Sequence, residues 1–227
     1  MRSAGHRWFL TIWNGTQPIL DRSVNNRYAQ IVGRPRSFNQ DEVLRAARDQ
    51  FWSTGYAAAR VDDIAAATGL GKGSLYGAFG DKHQLFLRTF DDHCAGLTEA
   101  VRRALDGPDA GAYERLRAHV LAVANATASD VRLRGCLLAK GTAELSEHDP
   151  AVAVTARKTF AAIEELIASC ISGAQRAGDI RQDADPTRLA GLLLAVLRGI
   201  EALGKGGSSA DSLHAIAETA MALLPRP

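Results

Sequence analysis

Residues 61–79 read "VDDIAAATGLGKGSLYGAF", in which two short helical patterns flank a glycine-rich turn. In a helix-turn-helix the first helix needs a small residue where the second crosses it. The turn needs a glycine with positive φ, and the second helix needs an apolar anchor. Ala65, Gly69 and Leu75 fill these three places. The stretch therefore predicts a helix-turn-helix with helices near 61–67 and 72–78.

The same glycines could instead belong to a nucleotide-binding loop. A P-loop requires G-x-x-x-x-G-K-[ST] after a buried strand, whereas Lys72 is followed by Gly73 and preceded by a helical pattern. The dinucleotide fingerprint G-x-G-x-x-G fails as well, because Gly69, Gly71 and Gly73 alternate evenly. Nucleotide binding is therefore disfavoured.

The second helix also carries a polar face opposite its apolar anchor. Lys72, Ser74 and Tyr76 offer a cation and two hydroxyls to phosphates and to base edges in a major groove, and Gly73 allows the helix to approach a duplex closely. An ordinary helical hairpin explains the packing residues but gives no reason for this face. We therefore predict binding to double-stranded DNA.

Helical spacing continues from residue 39 to the end of the chain, with no run typical of a strand. Asn39 and Asp81 are predicted to cap helices, and Asp149 and Asp185 each precede a proline, which is typical of a helix start. The chain is therefore predicted to be all-α. The expected helices outside the helix-turn-helix lie near 39–55, 81–105, 113–128, 136–145, 150–177, 186–204 and 210–224.

The segments "FNQDEVLRAARDQFWSTGY" (38–56) and "RVDDIAAATGLGKGSLYGAFGDKHQLF" (60–86) together resemble the amino-terminal DNA-binding domain of TetR-family (TetR/AcrR) transcriptional regulators. The resemblance implies three regions. They are an N-terminal extension without regular structure (1–33), a helix-turn-helix domain (34–80) and a larger helical domain for effector binding and dimerisation (81–227).

The family pattern assigns DNA contacts residue by residue. Tyr76 and Phe79 match its Tyr-x-x-Phe signature, and Lys82 matches its phosphate-contacting lysine. A lysine at the start of a helix is also a suitable phosphate ligand in its own right. The resemblance further implies phosphate contacts from the residues Arg34 and Arg36 of a basic arm and from Arg60, which replaces a usual Thr or Ser.

The charge distribution agrees with a basic arm. The net charge of the chain is +2, and residues 1–38 carry six arginines and one aspartate. Such an arm suits a polyanionic partner, although solvated arginines in a tail produce the same pattern.

The segment "RGCLLAKGTAEL" (134–145) resembles part of a TetR branch that includes electrophile-responsive and small-ligand-responsive repressors. Cys136 matches the position of a sensing cysteine there, and Lys140 follows one turn later. An ammonium beside a thiol lowers its pKa and favours the thiolate. The alternative is a cysteine that only packs. His93, His119 and Phe160 complete the candidate effector-binding set, and each of them could equally be a packing or surface residue.

The segment "RLAGLLLAVLRGIEALG" (188–204) is apolar around most of its circumference. Together with the resemblance it implies a homodimer, in which Ala190, Gly191, Ala195 and Gly199 permit close approach of helices. A wholly internal helix is the alternative.

Hydropathy and cysteine spacing exclude several classes of protein. No apolar run reaches 18 residues, so we predict no membrane span and a cytoplasmic protein. Three cysteines without metal-type spacing predict neither disulfides nor a metal site, and no cofactor is expected. We predict a sequence-specific repressor released by a small molecule or an electrophile. A helical adaptor, or an enzyme that uses Cys136 and His148, is the alternative.

Overall fold

Nine α-helices and no strand make up residues 39–227, the part of the chain that the computed structural model describes. The predicted all-α fold is confirmed. The extension 1–33 and the two arm arginines, Arg34 and Arg36, lie outside the described residues. The helices are α1 (Gln40–Ala58), α2 (Val61–Thr68), α3 (Lys72–Phe79), α4 (Lys82–Leu105), α5 (Ala112–Ala128), α6 (Leu137–Leu145), α7 (Pro150–Arg176), α8 (Pro186–Lys205) and α9 (Ala210–Ala222).

The predicted helix starts are confirmed by their caps. Asp81 accepts a hydrogen bond from the Gln84 amide, and Asp149 and Asp185 each accept bonds from amides in the first turn of the helix that follows. Asn39 also caps its helix, but its side chain accepts from the amide of the second residue that follows it. The cap predicted at each of these four positions therefore forms.

The predicted end of the first helix is wrong in one respect. α1 continues to Ala58, three residues beyond the expected stop at Gly55, but Gly55 itself is not helical, with φ 82° and ψ 170°. The glycine permits this left-handed φ at no steric cost, so the helix breaks at Gly55 and resumes.

Aromatic packing attaches α1 to α4. The rings of Phe51 and Phe86 meet edge to face with centroids 5.1 Å apart, and Phe86 stacks on Phe90 at 5.5 Å. Tyr56, beyond the break in α1, packs against Phe86 at 5.0 Å. The helix-turn-helix is therefore fixed to the rest of the protein through a buried aromatic cluster. A second apolar core lies among α5, α7, α8 and α9.

Gly141 allows α6 to pack closely against this aromatic cluster. A Cβ at the buried Gly141 would lie 2.7 Å from Cε2 of Phe90 and 3.4 Å from Cζ of Phe86. Both rings are buried and packed against each other, so neither can move away freely. The close approach of α6 to α4 therefore requires a residue without a side chain.

We expect Gly141→Ala to lower the free energy of unfolding by about 1–3 kcal/mol, because the added methyl group overpacks the aromatic cluster. Gly96→Ala is the matched control, since a Cβ at the exposed Gly96 of α4 meets nothing within 4 Å. That control should raise the free energy of unfolding by up to about 1 kcal/mol, because alanine has a higher helix propensity than glycine. Chemical denaturation measures both, and equal effects of the two substitutions would contradict the packing argument.

No helix among residues 39–227 is both long enough and apolar enough to span a membrane.

Candidate nucleic-acid interface and effector region

The turn between α2 and α3 has the predicted geometry. Gly69 ends α2 with φ 67°, and the Leu70 amide donates to the Ala65 carbonyl at 3.1 Å. Ala65 and Leu75 are both buried where the two helices meet. The helix-turn-helix prediction is confirmed at each of its three packing positions.

The outward face of α3 has no packing role within the described residues. Gly73 and Ser74 are exposed, and Tyr76 is 46% exposed. A Cβ at Gly73 or Gly77 would meet nothing within 4 Å, and neither has a positive φ. Glycine inside a helix costs about 1 kcal/mol relative to alanine, so intrachain packing does not explain two of them. The sequence-based prediction that Gly73 gives clearance for a closely approaching surface is consistent with this open face.

Lys72 already has a partner at the start of α3. Its Nζ lies 2.8 Å from Oδ1 of Asp62, and Arg60 lies 3.8 Å from the other oxygen of the same carboxylate. The Asp62 carboxylate raises the pKa of Lys72, so the lysine is charged at neutral pH. Lys72 is half exposed and Arg60 is more so. Exposed pairs of this kind are weak, and the two cations can exchange Asp62 for a polyanion.

Lys82 differs from Lys72 because it packs inward. Its Nζ donates to the Ala57 carbonyl at 3.1 Å and lies 4.7 Å from the centre of the Tyr56 ring. The lysine thus joins the start of α4 to the end of α1. Its predicted phosphate contact requires either a change of partner or a phosphate that approaches the same position.

The helix-turn-helix unit has little positive charge of its own. Residues 39–80 contain four basic and five acidic residues. Binding to a polyanion therefore depends on charge from elsewhere, and Arg34, Arg36 and Lys82 are the predicted sources.

The break in α1 is held by side chains from α6. In an unbroken helix the Tyr56 amide would donate to the Trp52 carbonyl. Here the Tyr56 amide donates to Oε2 of Glu144 at 2.6 Å, and Nζ of Lys140 donates to the Trp52 carbonyl at 2.9 Å. We refer to these two contacts as the α6 clamp. A Cβ at Gly55 would overlap the Glu144 carboxylate, so the α6 clamp can form only with a glycine at this position.

The predicted activation of Cys136 by Lys140 is wrong. Lys140 is bound to α1, and the group that contacts the Cys136 sulphur is Nη1 of Arg198 at 2.9 Å. Arg198 also pairs with Glu201 at 2.9 Å. Burial, together with the Glu201 carboxylate, raises the pKa of the Cys136 thiol to about 11, although the Arg198 charge opposes this. The thiol is therefore protonated at neutral pH.

The other predicted effector residues do not share one site with Cys136. His93 packs against Trp52 with ring centroids 5.7 Å apart, and burial lowers its pKa to about 4. Burial and the charge of Arg198 lower the pKa of His119. Phe160 lines a separate groove between α6 and α7. Cys136 contacts α8, Lys140 and His93 both contact Trp52 of α1, and Phe160 lines the groove between α6 and α7. Four of the five predicted residues therefore divide among three places.

Sequence reasoning missed the residues that connect these regions. Trp52, Glu144, Arg198 and Glu201 were not predicted to have a role. Arg198 and Glu201 carried a usable signal, because two opposite charges three residues apart stand inside an otherwise apolar segment. The contacts of Trp52 and Glu144 join positions more than 80 residues apart, and no local pattern identifies them. No group of three His, Cys, Asp or Glu residues within 39–227 is placed to hold a metal ion.

We expect Cys136 to react with iodoacetamide at neutral pH roughly a hundredfold more slowly than an unperturbed cysteine, because only the thiolate reacts. The raised pKa predicts that the rate increases about tenfold per pH unit from pH 7 towards 11. Peptide mapping by mass spectrometry measures the rate, with the unfolded chain as the control. Alkylation of native Cys136 as fast as in the unfolded chain would contradict the half-buried, protonated state.

Comparisons with known proteins agree with this arrangement. The family model described as "Bacterial regulatory proteins, tetR family" matches residues 43–89, and "Tetracyclin repressor-like, C-terminal domain" matches residues 112–220. HTH-type transcriptional repressor ComR of Escherichia coli (strain K12) is 28% identical over 193 residues, which cover 85% of this chain and 92% of that protein. HTH-type transcriptional repressor BdcR of the same organism is 26% identical over 198 residues, which cover 87% and 94%.

A solved structure adds a DNA complex. A cysteine mutant of the TetR family transcriptional regulator CifR, complexed with 26-base-pair operator DNA, matches with a TM-score of 0.74 and 28% identity. The match covers 85% of this chain and 100% of that one. The two family models, the relatives and the helix-turn-helix geometry give one conclusion: the chain belongs to the TetR family and is a DNA-binding transcriptional regulator.

Proposed function

We propose that the protein is a repressor that binds a two-fold symmetric operator as a homodimer and leaves it when a small molecule binds among the carboxy-terminal helices. The observation that carries this proposal is the α6 clamp. Through Lys140 and Glu144, a helix of the carboxy-terminal region holds the backbone of α1 directly. A shift of α6 therefore changes the position of the helix-turn-helix.

Repression is supported by the relatives. ComR and BdcR are both repressors by name, and each match spans most of both chains. The outward face of α3 gives the means of binding. Ser74 and Tyr76 are exposed, and Lys72 can bind a phosphate by exchanging its exposed partner Asp62 for it.

The dimer is supported by the outer surface of α8 and α9. Leu192 and Leu203 are 52% and 45% exposed, and exposed apolar side chains that adjoin one another mark interaction sites. A groove of about 360 Å³ lies beside them, lined by Val196, Ile216 and Leu223. A second copy of the chain would cover this apolar surface and would pair two helix-turn-helix units for a palindromic site.

The small residues of α8 have different roles within the chain. Ala190 is fully buried in the chain's own core, and Gly191 faces Glu164 of α7. Neither is therefore free for contact with a partner. Ala195 is exposed on the outer side of α8, and a Cβ at Gly199 would meet nothing within 4 Å. Ala195 is the cleaner probe of a dimer.

A non-covalent effector is favoured over an electrophile. The Cys136 thiol is half-buried and its pKa is raised to about 11, which disfavours attack on an electrophile at neutral pH. The same observation disfavours an enzyme with Cys136 as its nucleophile.

The proposal is tested by selecting bound duplexes from a random pool with the purified protein and then screening compounds for release. We expect a palindromic consensus and at least one compound that lowers duplex affinity. Enrichment of a site without two-fold symmetry, or the absence of any enriched site, would contradict it.

We expect Ala195→Arg to yield monomers or aggregates, because an unpaired arginine between closely packed helices costs several kcal/mol. Operator binding should be lost although α3 is unchanged. Light scattering reports the mass, and Ala95→Arg at an exposed site on α4 is the matched control. A dimeric Ala195→Arg variant that binds the operator normally would place the interface elsewhere.

We expect Lys82→Ala to weaken binding to all duplexes and to reduce the slope of log affinity against log salt by about 1, because a phosphate contact releases counterions without reading bases. Lys72→Ala should instead change the preference between operator and random DNA. Lys158→Ala on α7 is the control, since this lysine is exposed and remote from α3. Titration at several salt concentrations separates these effects. If Lys72→Ala lowers the affinity for operator and random DNA equally, Lys72 does not read bases.

A further inference from the structure

A cavity of about 270 Å³ lies where α1, the α5–α6 loop and the end of α8 meet. Its volume is near the lower end of pockets that hold small ligands. None of the five residues predicted to bind an effector lines it. The cavity differs from the groove beside Phe160, because one of its walls belongs to the helix-turn-helix unit.

The wall from α1 is Trp52, and its indole has a fixed orientation. Nε1 donates to the Gly135 carbonyl at 2.7 Å, so the polar atom of the ring is already used. The Arg134 guanidinium lies 4.2 Å from the ring centre. Val123 and Ala126 of α5 add apolar surface. The interior therefore suits a hydrocarbon group.

The rim of the cavity carries a strained apolar residue. Leu133 has φ 50°, the only positive φ outside glycine among residues 39–227, and its side chain is 48% exposed. A left-handed leucine is disfavoured, and an exposed one gains little from burial. Such outliers persist only where the surrounding structure holds them, and this one places an exposed apolar side chain at the cavity.

Lys205 is the unpaired charge of the cavity. The other charged lining residues have partners: Asp130 pairs with Arg134 at 3.2 Å, and Glu201 pairs with Arg198 at 2.9 Å. Among residues 39–227 no carboxylate lies within ion-pair distance of Lys205. Its charge also contributes to lowering the pKa of Lys140, after the larger effect of burial. The cavity lining holds two acidic and two basic residues, and Lys205 is the one without an ion-pair partner in the described part of the chain, so it is the charge available to a ligand.

We propose that this cavity is a binding site for a small apolar carboxylate, whose hydrocarbon lies against Trp52 and Leu133 and whose carboxylate pairs with Lys205. The claim that the cavity is the effector site rests on the proposed function, whereas the claim that it binds a carboxylate does not. A bound ligand contacts Trp52, whose own carbonyl is held by Lys140 of the α6 clamp. Occupancy therefore acts on α1 where it is joined to α6, and it reduces operator affinity.

Tryptophan fluorescence tests binding directly. The chain has three tryptophans, and replacing Trp8 and Trp13 with phenylalanine in the full-length protein leaves Trp52 as the reporter. The probes are octanoate, its neutral analogue octanamide and its cationic analogue octylamine. We expect a saturable change with octanoate at an affinity about tenfold above that for octanamide, because the amide lacks the charge that pairs with Lys205.

Two variants locate the site. Lys205→Gln should reduce octanoate affinity about tenfold and leave octanamide unchanged, whereas Lys158→Gln, the control on α7, should change neither. Ala126→Phe adds a ring to the cavity from an exposed position, so it should abolish binding of both probes without disturbing the core.

The outcomes separate this site from the proposed function. Absence of a saturable change, equal or tighter binding of octanamide or octylamine, or no effect of Lys205→Gln would overturn the carboxylate site, and operator binding would be unaffected by that result. Octanoate binding at Trp52 without loss of affinity for the selected duplex would overturn its role as the effector site. Saturable binding that Lys205→Gln weakens, together with release of the duplex, supports the proposal in full.

Discussion

The break at Gly55 is the constraint on which the relation between the two ends of the molecule depends. A left-handed φ at one residue changes the direction of the backbone amides and carbonyls around it, so these groups lose their partners within the helix. Lys140 and Glu144 supply them from a segment almost 90 residues away. Because Gly55 is buried and its missing side chain is replaced by the Glu144 carboxylate, the break and α6 form one unit. α1 cannot move without changing these contacts.

The helix-turn-helix could be predicted from sequence because its determinants are local. A positive φ at Gly69, a small residue at Ala65 and an anchor at Leu75 lie within eleven residues, and each has one structural meaning. Helix starts were predictable for the same reason, since an aspartate cap acts within its own first turn. The all-α fold followed from these local signals.

Proximity in sequence does not predict which groups Cys136 and Lys140 contact. Cys136 and Lys140 are one turn apart, but the Cys136 sulphur contacts Arg198 of α8, whereas Lys140 donates to carbonyls of α1. The competing partners come from the break in α1 and from the pair Arg198–Glu201, both distant along the chain. Side-chain orientation at a helix start is set by tertiary contacts that spacing alone does not contain.

The scale of allosteric coupling shows why a small cavity beside Trp52 is enough. Coupling free energies between sites are typically about 1–3 kcal/mol, comparable to one or two hydrogen bonds. Four hydrogen bonds join α1 to the α5–α6 loop and α6, and two of them involve Trp52 itself. A ligand that contacts the indole must favour one arrangement of these bonds over another in order to change DNA affinity. No large movement is needed, because exchange of a single bond at Trp52 supplies a coupling of the required size.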